Sequence, residues 1–295
     1  MLREKEFKIL TYLLEYRDDI TQSKISSGTD LSVGTVNKTL NELSSKGFVD
    51  KYTVTERGVR ALEPYRVKNA CFLAAGFGSR LVPITLNTPK PLIRVKGKRI
   101  IDSLLDACVA AEIPNIYIVR GYLKEQFDSL LEKYPMIHFI DNPLYNETNN
   151  ISSALMLGDK IANSYMFEAD LLLSNPKLIT KYQYNSNYLG IYMERTDDYI
   201  LKMKNGRIVG GGIGGYNCYQ VVGITYWTEE DGKELRNNIK NTFYNVPAGK
   251  ERFFASCADL TKTYMTVRPC TVDDVVEIDT FRELQRLDPA YRVEL

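Results

Sequence analysis

Apolar positions at the start of the chain follow a helical period. Phe7, Leu10, Leu13 and Leu14 fall on one face at spacings of three, four and seven, which predicts an amphipathic helix over residues 3–16. Thr21 is placed to cap a short second helix through Ile25 and Ser26, and Gly28-Thr29-Asp30 makes the turn that follows. Ser32 is placed to cap a third helix that carries Val36, Leu40 and Leu43 inward, and Gly47 closes it. The alternation from Phe48 to Val54 predicts a strand, and Thr55-Glu56-Arg57-Gly58 opens a last helical piece ending near Pro64.

Around Tyr65-Arg66-Val67-Lys68 the period changes. Ala70-Cys71-Phe72-Leu73-Ala74 is an unbroken apolar run, the pattern of a strand buried on both faces. From there helices and strands alternate: helix Ile100 to Ala111, strand Ile116 to Val119, helix Leu123 to Lys133, strand Ile137 to Ile140, helix Ile151 to Ile161, strand Tyr165 to Phe167. This order predicts an α/β fold with a doubly wound, mostly parallel sheet over residues 67–295, preceded by a small helical domain over residues 1–66.

The helix, helix, helix, strand-wing order of the first domain is that of a winged helix-turn-helix. The segment resembles the winged-helix domains of bacterial transcription regulators, most visibly in Ser32-Val33-Gly34-Thr35-Val36-Asn37-Lys38 and Val54-Thr55-Glu56-Arg57-Gly58. Its charge does not follow the resemblance. Residues 1–66 hold 11 basic and 10 acidic side chains, and the third helix sets only Lys38 and Lys46 against Glu42. DNA binders carry a basic footprint because phosphate neutralisation supplies much of their affinity, so a sensory or dimer-forming module is the favoured expectation and DNA the less favoured partner.

Over the whole chain, 38 Lys and Arg balance 37 Asp and Glu, so no global field draws the protein to nucleic acid or an anionic membrane. The first twenty residues lack the apolar core of a signal peptide and no apolar run reaches eighteen residues, which makes a cytoplasmic protein without a membrane partner the expectation. Five scattered cysteines lack the close pairs of zinc or redox sites and are expected as reduced thiols; the one histidine, His138, is expected to be structural.

Candidate chemistry begins at the end of the first buried strand. In Leu73-Ala74-Ala75-Gly76-Phe77-Gly78-Ser79-Arg80, missing side chains at Gly76 and Gly78 let backbone N–H groups approach a phosphate. Arg80 adds a fork of donors, and Lys90, in Lys90-Pro91-Leu92, adds a second cation. No Gly-Lys-Ser/Thr follows and the third glycine of a dinucleotide fingerprint is missing, so this is neither a Walker loop nor a Rossmann turn.

Together these residues resemble the signature of the sugar-phosphate nucleotidyltransferase superfamily, and within it the chain is most similar to bacterial choline-phosphate cytidylyltransferases. The resemblance covers roughly residues 69–285 and includes Gly121-Tyr122-Leu123-Lys124-Glu125-Gln126-Phe127, Tyr145 to Ser153, Ala162-Asn163-Ser164-Tyr165, Glu168-Ala169-Asp170 and Glu277-Ile278-Asp279. It implies that Leu73, Ala74, Ala75, Gly76 and Gly78 cradle the nucleotide, that Arg80 and Lys90 hold its phosphates and carry catalysis, and that Gly121, Tyr122, Asn150 and Ser152 lie near base and ribose. Asp170 and Asp279 match the family's metal positions, although Glu168 stands where the pattern begins with Asp. A hard cation such as Mg²⁺ needs only one or two carboxylates beside phosphate oxygens, so two aspartates suffice.

The expected reaction is Mg²⁺-dependent transfer of CMP from CTP to a small phosphorylated amino alcohol, phosphocholine favoured, with release of pyrophosphate. Aromatic faces recognise a quaternary ammonium, and Tyr192, Tyr199 and the single tryptophan, Trp227, are the candidate acceptor residues. Two departures leave phosphoethanolamine and 2-aminoethylphosphonate open: Asp197-Asp198-Tyr199 and Arg252-Phe253-Phe254 stand where tryptophans belong in the choline enzymes. Other readings are a sugar-1-phosphate nucleotidyltransferase or a nucleotide-sensing regulator, and a homodimer is open. The run Gly210-Gly211-Gly212-Ile213-Gly214-Gly215 is expected as a mobile loop over the acceptor site.

Overall fold

The computed structural model describes residues 1–292, so the last three positions of the expected second domain, 293–295, lie outside the described residues. Two compact units result. One comprises Met1–Arg66 together with Tyr182–Tyr184, and the other takes Val67–Lys181 and resumes at Asn185.

The first unit is built from α1 (Glu4–Glu15), α2 (Gln22–Thr29), α3 (Val33–Ser45), a wing of β1 (Val49–Asp50) and β2 (Thr53–Val54), and α4 (Glu56–Leu62). The Thr21 and Ser32 side chains accept from the backbone N–H groups of Lys24 and Thr35, so both helix starts are capped as the sequence predicts. Gly47 takes the left-handed conformation at φ +69° that ends α3. Leu10, Leu13, Ile25, Val36, Leu40 and Leu43 close one apolar core.

The second unit is organised around β3 (Asn69–Ala74). A small hairpin, β4 (Arg94–Val95) and β5 (Lys98–Arg99), precedes α5 (Ile100–Ala110); β6 (Asn115–Arg120), β7 (Ile137–Asp141), α6 (Ile151–Leu157) and β8 (Ser164–Glu168) follow. Then come β9 (Leu171–Leu173), the long β10 (Ser186–Lys204) and β11 (Arg207–Trp227), α7 (Glu229–Asn245), β12 (Met265–Cys270), β13 (Val275–Glu277) and α8 (Phe281–Leu287). The central sheet runs β12-β10-β11-β8-β3-β6-β7. β8, β3, β6 and β7 are parallel, whereas β11 runs against β8 and β10, so the sheet is mixed beyond its parallel half.

Alternation along β3 explains the two layers. Ala70, Phe72 and Ala74 pack under α5 with Ile101, Leu104 and Leu105, while Cys71 joins Ile151, Leu157 and Met166 on the other face with Leu235 and Ile239 of α7. Two predicted helices are shorter or tighter. Leu123, at φ +47°, cannot begin an α-helix, and Lys124–Leu130 is a 3₁₀ segment; α6 stops at Leu157 because Gly158 turns the chain at φ +55°. No helix among the described residues is long and apolar enough to cross a membrane.

Strand order sets the ligand position. From β3 the chain winds outward through β6 and β7, then returns to place β8 on the other side of β3. The switch point therefore lies between β3 and β8, where their carboxyl ends open a crevice. Leu73 pairs with Glu168 there, which puts the glycine loop beside the Glu168-Ala169-Asp170 turn.

Candidate active site

A cavity of about 970 Å³ opens over that crevice, ample for a nucleotide and a small second substrate. Leu73, Ala74, Ala75, Gly76, Gly78, Arg80 and Lys90 line one end of it. Gly78 sits at φ +70°, and a Cβ there would come within 3.1 Å of Lys90 Cβ and 3.2 Å of Thr85 Cγ2. Glycine is thus required twice over, for backbone conformation and to let the Lys90 stem pass.

Lys90 is nearly buried, its side chain 11% exposed, and its ammonium group lies 2.7 Å from Asp170 Oδ2 and 2.9 Å from Asp279 Oδ1. Arg80 grips both oxygens of Asp279 at 2.7 and 2.8 Å. Burial works to lower the Lys90 pKa, but Asp170 and Asp279 outweigh it and hold the group protonated above the ordinary lysine range. Asp279 owes its place to α8: the Glu283 carboxylate accepts from the N–H groups of Asp279 and Thr280 at 2.8 Å each, in a capping box. Asp170 is fixed where β9 pairs with β13, Leu171 opposite Glu277, and its carbonyl accepts from Ile278 N–H.

Four carboxylates therefore face one lysine and one arginine. Burial first, and then the charge on Asp170, push Glu168 up to about 7. Glu277 is exposed as a residue but turns its carboxyl inward, where burial and the neighbouring Asp170, Asp279 and Glu168 push it up to about 8. The carboxylates of Glu168, Asp170 and Glu277 lie within 4.8 Å of one another, and Asp170 Oδ1 is buried without a hydrogen-bond partner. A buried carboxylate oxygen left unpaired, inside an all-oxygen donor set, fits a hard divalent cation. Glu277 did not figure among the expected ligands, although its i, i+2 relation to Asp279 in an extended segment was a signal that could have found it.

Toward the other side of the cavity, Asn150 and Ser152 stand at the start of α6. Asn150 Oδ1 accepts from Phe254 N–H at 2.9 Å. Ser152 belongs to a network centred on Asn142, a residue 2% exposed whose amide donates to the Ser152 and Ser153 hydroxyls at 2.9 and 3.0 Å. Asn142 was not singled out from the sequence, where it is one of many asparagines. Gly121 and Tyr122 are not among the residues that line the cavity. They brace the loop instead: Tyr122 donates its N–H to Ala75 O and its hydroxyl to Leu86 O, and a Cβ at Gly121 would lie 2.6 Å from Tyr145.

The three aromatic candidates separate. Tyr199 lines the cavity, half exposed, with its ring edge against Phe253 at 6.1 Å. Tyr192 points elsewhere, its hydroxyl on Asn217. Trp227 is 0% exposed: it ends β11 inside the core with Leu235, Ile239 and Met265, and its indole N–H donates to Thr225 Oγ1. A ring sealed in the core presents no face to a ligand, so Trp227 has no place in the acceptor site. Phe253 and Asp198 stand in the cavity wall near Tyr199.

The glycine run is strand rather than mobile loop. Gly210, Gly211 and Gly212 lie in β11 and line the cavity, and the hairpin bends so sharply that Ile200 pairs with both Gly212 and Gln220. Absent side chains permit the fold-back: a Cβ at Gly211 would already lie 3.3 Å from Ile200 O.

Comparison with known proteins agrees with this geometry. The nucleotidyl transferase family profile matches residues 69–188, and a winged helix-turn-helix DNA-binding profile matches residues 2–50. The 2-aminoethylphosphonate cytidylyltransferase of Lancefieldella rimae is 34% identical over 230 residues, spanning 76% of this chain and 93% of that protein. The choline-phosphate cytidylyltransferase of Haemophilus influenzae is 30% identical over 75% of this chain and 98% of that protein. The solved structure of CTP:phosphocholine cytidylyltransferase from Streptococcus pneumoniae superposes with a TM-score of 0.71 at 26% identity, over 77% of this chain and all of that one. A glycine loop, two cations and a carboxylate cluster at the switch point of such a sheet have one reading in this company: the chain is a nucleotidyltransferase and belongs to the cytidylyltransferases of the nucleotidyl transferase family.

Proposed function

We propose that the protein transfers CMP from CTP, with Mg²⁺, to a small phosphate or phosphonate that carries a primary amine, 2-aminoethylphosphonate or phosphoethanolamine. The observation that carries the amine reading is the exclusion of Trp227 from the cavity. Of the rings that line the cavity, Tyr199 and Phe253 are the exposed ones, beside the carboxylate of Asp198, whereas Tyr188 and Phe254 are buried and Tyr145 is half-buried. A quaternary ammonium gains from enclosure by several aromatic faces, whereas a primary ammonium donates hydrogen bonds to a carboxylate and needs no full cage. The likeness to the Lancefieldella aminoethylphosphonate enzyme supports the same choice.

In the reaction an oxygen of the acceptor phosphonate attacks the α-phosphorus of CTP; the new P–O bond forms as the bond to the β-phosphate oxygen breaks, and pyrophosphate leaves with that electron pair. No protein nucleophile is needed, and the acceptor oxygen is already ionised at neutral pH. Lys90 and Arg80 neutralise charge that accumulates on the α-phosphate and the leaving group, an effect large in a recessed site. The backbone of Ala75 to Gly78 positions the triphosphate, while Asp198 and Tyr199 orient the acceptor. Asp170, with Glu168 and Glu277 within 4.8 Å of it, and Asp279, once released from Arg80 and Lys90, would hold Mg²⁺, which supplies Lewis-acid charge neutralisation when bound. Pyrophosphate release from CTP, UTP, dTTP and ATP, each paired with 2-aminoethylphosphonate, phosphoethanolamine and phosphocholine, tests the reading. CTP with a primary amine should give the highest kcat/KM, and a preference for phosphocholine would overturn the amine assignment.

A further inference from the structure

We propose that Gln220 is a positioning residue for acceptor choice, acting through Asp198; this rests on the reading above, in which Asp198 meets the acceptor's ammonium group. The two residues are 22 positions apart and meet only because the hairpin folds back on itself. Tyr199 pairs with Ile213, while Ile200 and Leu201 each pair twice, with Gly212 and Gln220 and with Gly211 and Tyr219. Left-handed turns at Gly214 (φ +68°) and Asn217 (φ +47°) make the return possible.

A closed ring of three hydrogen bonds results. The Thr196 hydroxyl donates to Gln220 Oε1 at 2.7 Å, the Gln220 amide donates to Asp198 Oδ2 at 3.3 Å, and the Asp198 N–H donates to Thr196 Oγ1 at 3.1 Å. An ionised carboxylate only accepts, so the amide must turn its NH₂ to Asp198 and its oxygen to Thr196. The other carboxylate oxygen, Oδ1, accepts from Tyr199 N–H at 2.8 Å. Asp198 is therefore oriented at both oxygens, yet among the described residues it takes part in no ion pair; Arg195 reaches Asp197 instead, at 4.0 Å. The ring fixes the carboxylate while leaving its charge uncancelled for a cationic ligand. A lysine or arginine in place of Gln220 would hold Asp198 as well and spend that charge.

The test compares Gln220→Leu, Thr196→Val and Thr196→Ser with the wild type. Each is assayed with CTP and whichever of 2-aminoethylphosphonate or phosphocholine the wild type uses, and with ethylphosphonate, the analogue without an amine. Gln220→Leu and Thr196→Val should raise KM for the aminated acceptor about tenfold, the scale of one lost hydrogen bond to a charged group, with kcat changed less than about twofold. KM for CTP and turnover of ethylphosphonate should move far less, and Thr196→Ser, which keeps the hydroxyl, should restore the wild-type KM. Loss spread equally over aminated and amine-free acceptors would overturn the positioning role, as would a Gln220→Leu enzyme with wild-type preference. Should Gln220→Leu fail to fold, Thr196→Val opens the same ring from its other corner and decides the matter. A wild type that does not distinguish ethylphosphonate from the amine would instead refute the Asp198 reading beneath.

Discussion

The glycine-loop end of the cavity, proposed above for the phosphates, and the β10–β11 end, proposed for the acceptor, are built in contrasting ways. At the phosphate end, Asp170 and Asp279 stand just past the ends of β8 and β13, Arg80 and Lys90 on single 3₁₀ turns of the loop after β3, and every charge but the Glu168 and Glu277 carboxyls has an opposite partner within hydrogen-bond distance. At the acceptor end, Asp198, Tyr199 and Phe253 stand on a bent hairpin and a short irregular segment, exposed, and among the described residues the Asp198 carboxylate accepts only from the Tyr199 N–H and the Gln220 amide, with no ion pair. The first arrangement resists change because moving any one group strands another. The second tolerates change, and a family that keeps one reaction while altering its acceptor needs a tolerant acceptor wall. Under the proposed function, the difference teaches that chemistry is anchored by mutual charge and specificity by backbone register.

Lys90→Ala should break the phosphate end most severely, lowering kcat by about 10²–10³ as loss of a preorganised charge donor does, and lowering thermal stability as well because Asp170 and Asp279 lose their recessed partner; unchanged turnover would remove Lys90 from the site. Tyr199→Ala or Phe253→Ala should leave kcat nearly intact and raise acceptor KM by about threefold to thirtyfold, as one aromatic face is worth about 0.5–2 kcal/mol to a cation. A kcat loss as large as that of Lys90→Ala would erase the proposed division of labour.

A pH titration sharpens the same contrast. Glu168 is raised from 4.5 to about 7 in the folded protein, so between those values the folded state binds a proton that the unfolded chain has released. Glu277 is raised further, to about 8, so stability without Mg²⁺ should fall as pH rises from about 4.5 through about 7 and on toward about 8. Thermal unfolding with and without Mg²⁺ should show the cation stabilising more as pH rises, and Glu168→Gln should flatten the metal-free slope. The smallest effect on catalysis belongs to Trp227→Phe. It should cost about 1–2 kcal/mol of stability through the lost Thr225 hydrogen bond and a small void, with acceptor KM unchanged; a raised KM would return Trp227 to the site.

Legibility in the sequence followed the same divide. The β3 strand, its glycine loop, Lys90 and the turn after β8 could be read because short-range rules suffice: an apolar run, missing side chains, and carboxylates at a strand end. The helix caps at Thr21 and Ser32 were equally local. Trp227 misled because an aromatic residue at the end of a strand gives no local sign of which face it takes; its burial is decided by how α7, the next helix, and β12, further along the chain, pack against it. The Gly210–Gly215 run reads as a loop from composition, yet glycine is what a strand needs where another backbone crosses close by. The Thr196, Asp198 and Gln220 ring could not be read at all, since it exists only in a register that no stretch of ten residues encodes.

Because Lys90 and Arg80 already hold Asp170 and Asp279, the site stores its own counter-ions. Under the proposed chemistry, a bare triphosphate would have to pull the cations away and abandon two aspartates, and a bare divalent ion would abandon the lysine and arginine. Arriving together, the two ligands exchange partners with the site in a double displacement of salt, and no charge is left alone. On that proposal the binding energies of metal and nucleotide are interdependent, so each would bind more tightly in the other's company than alone.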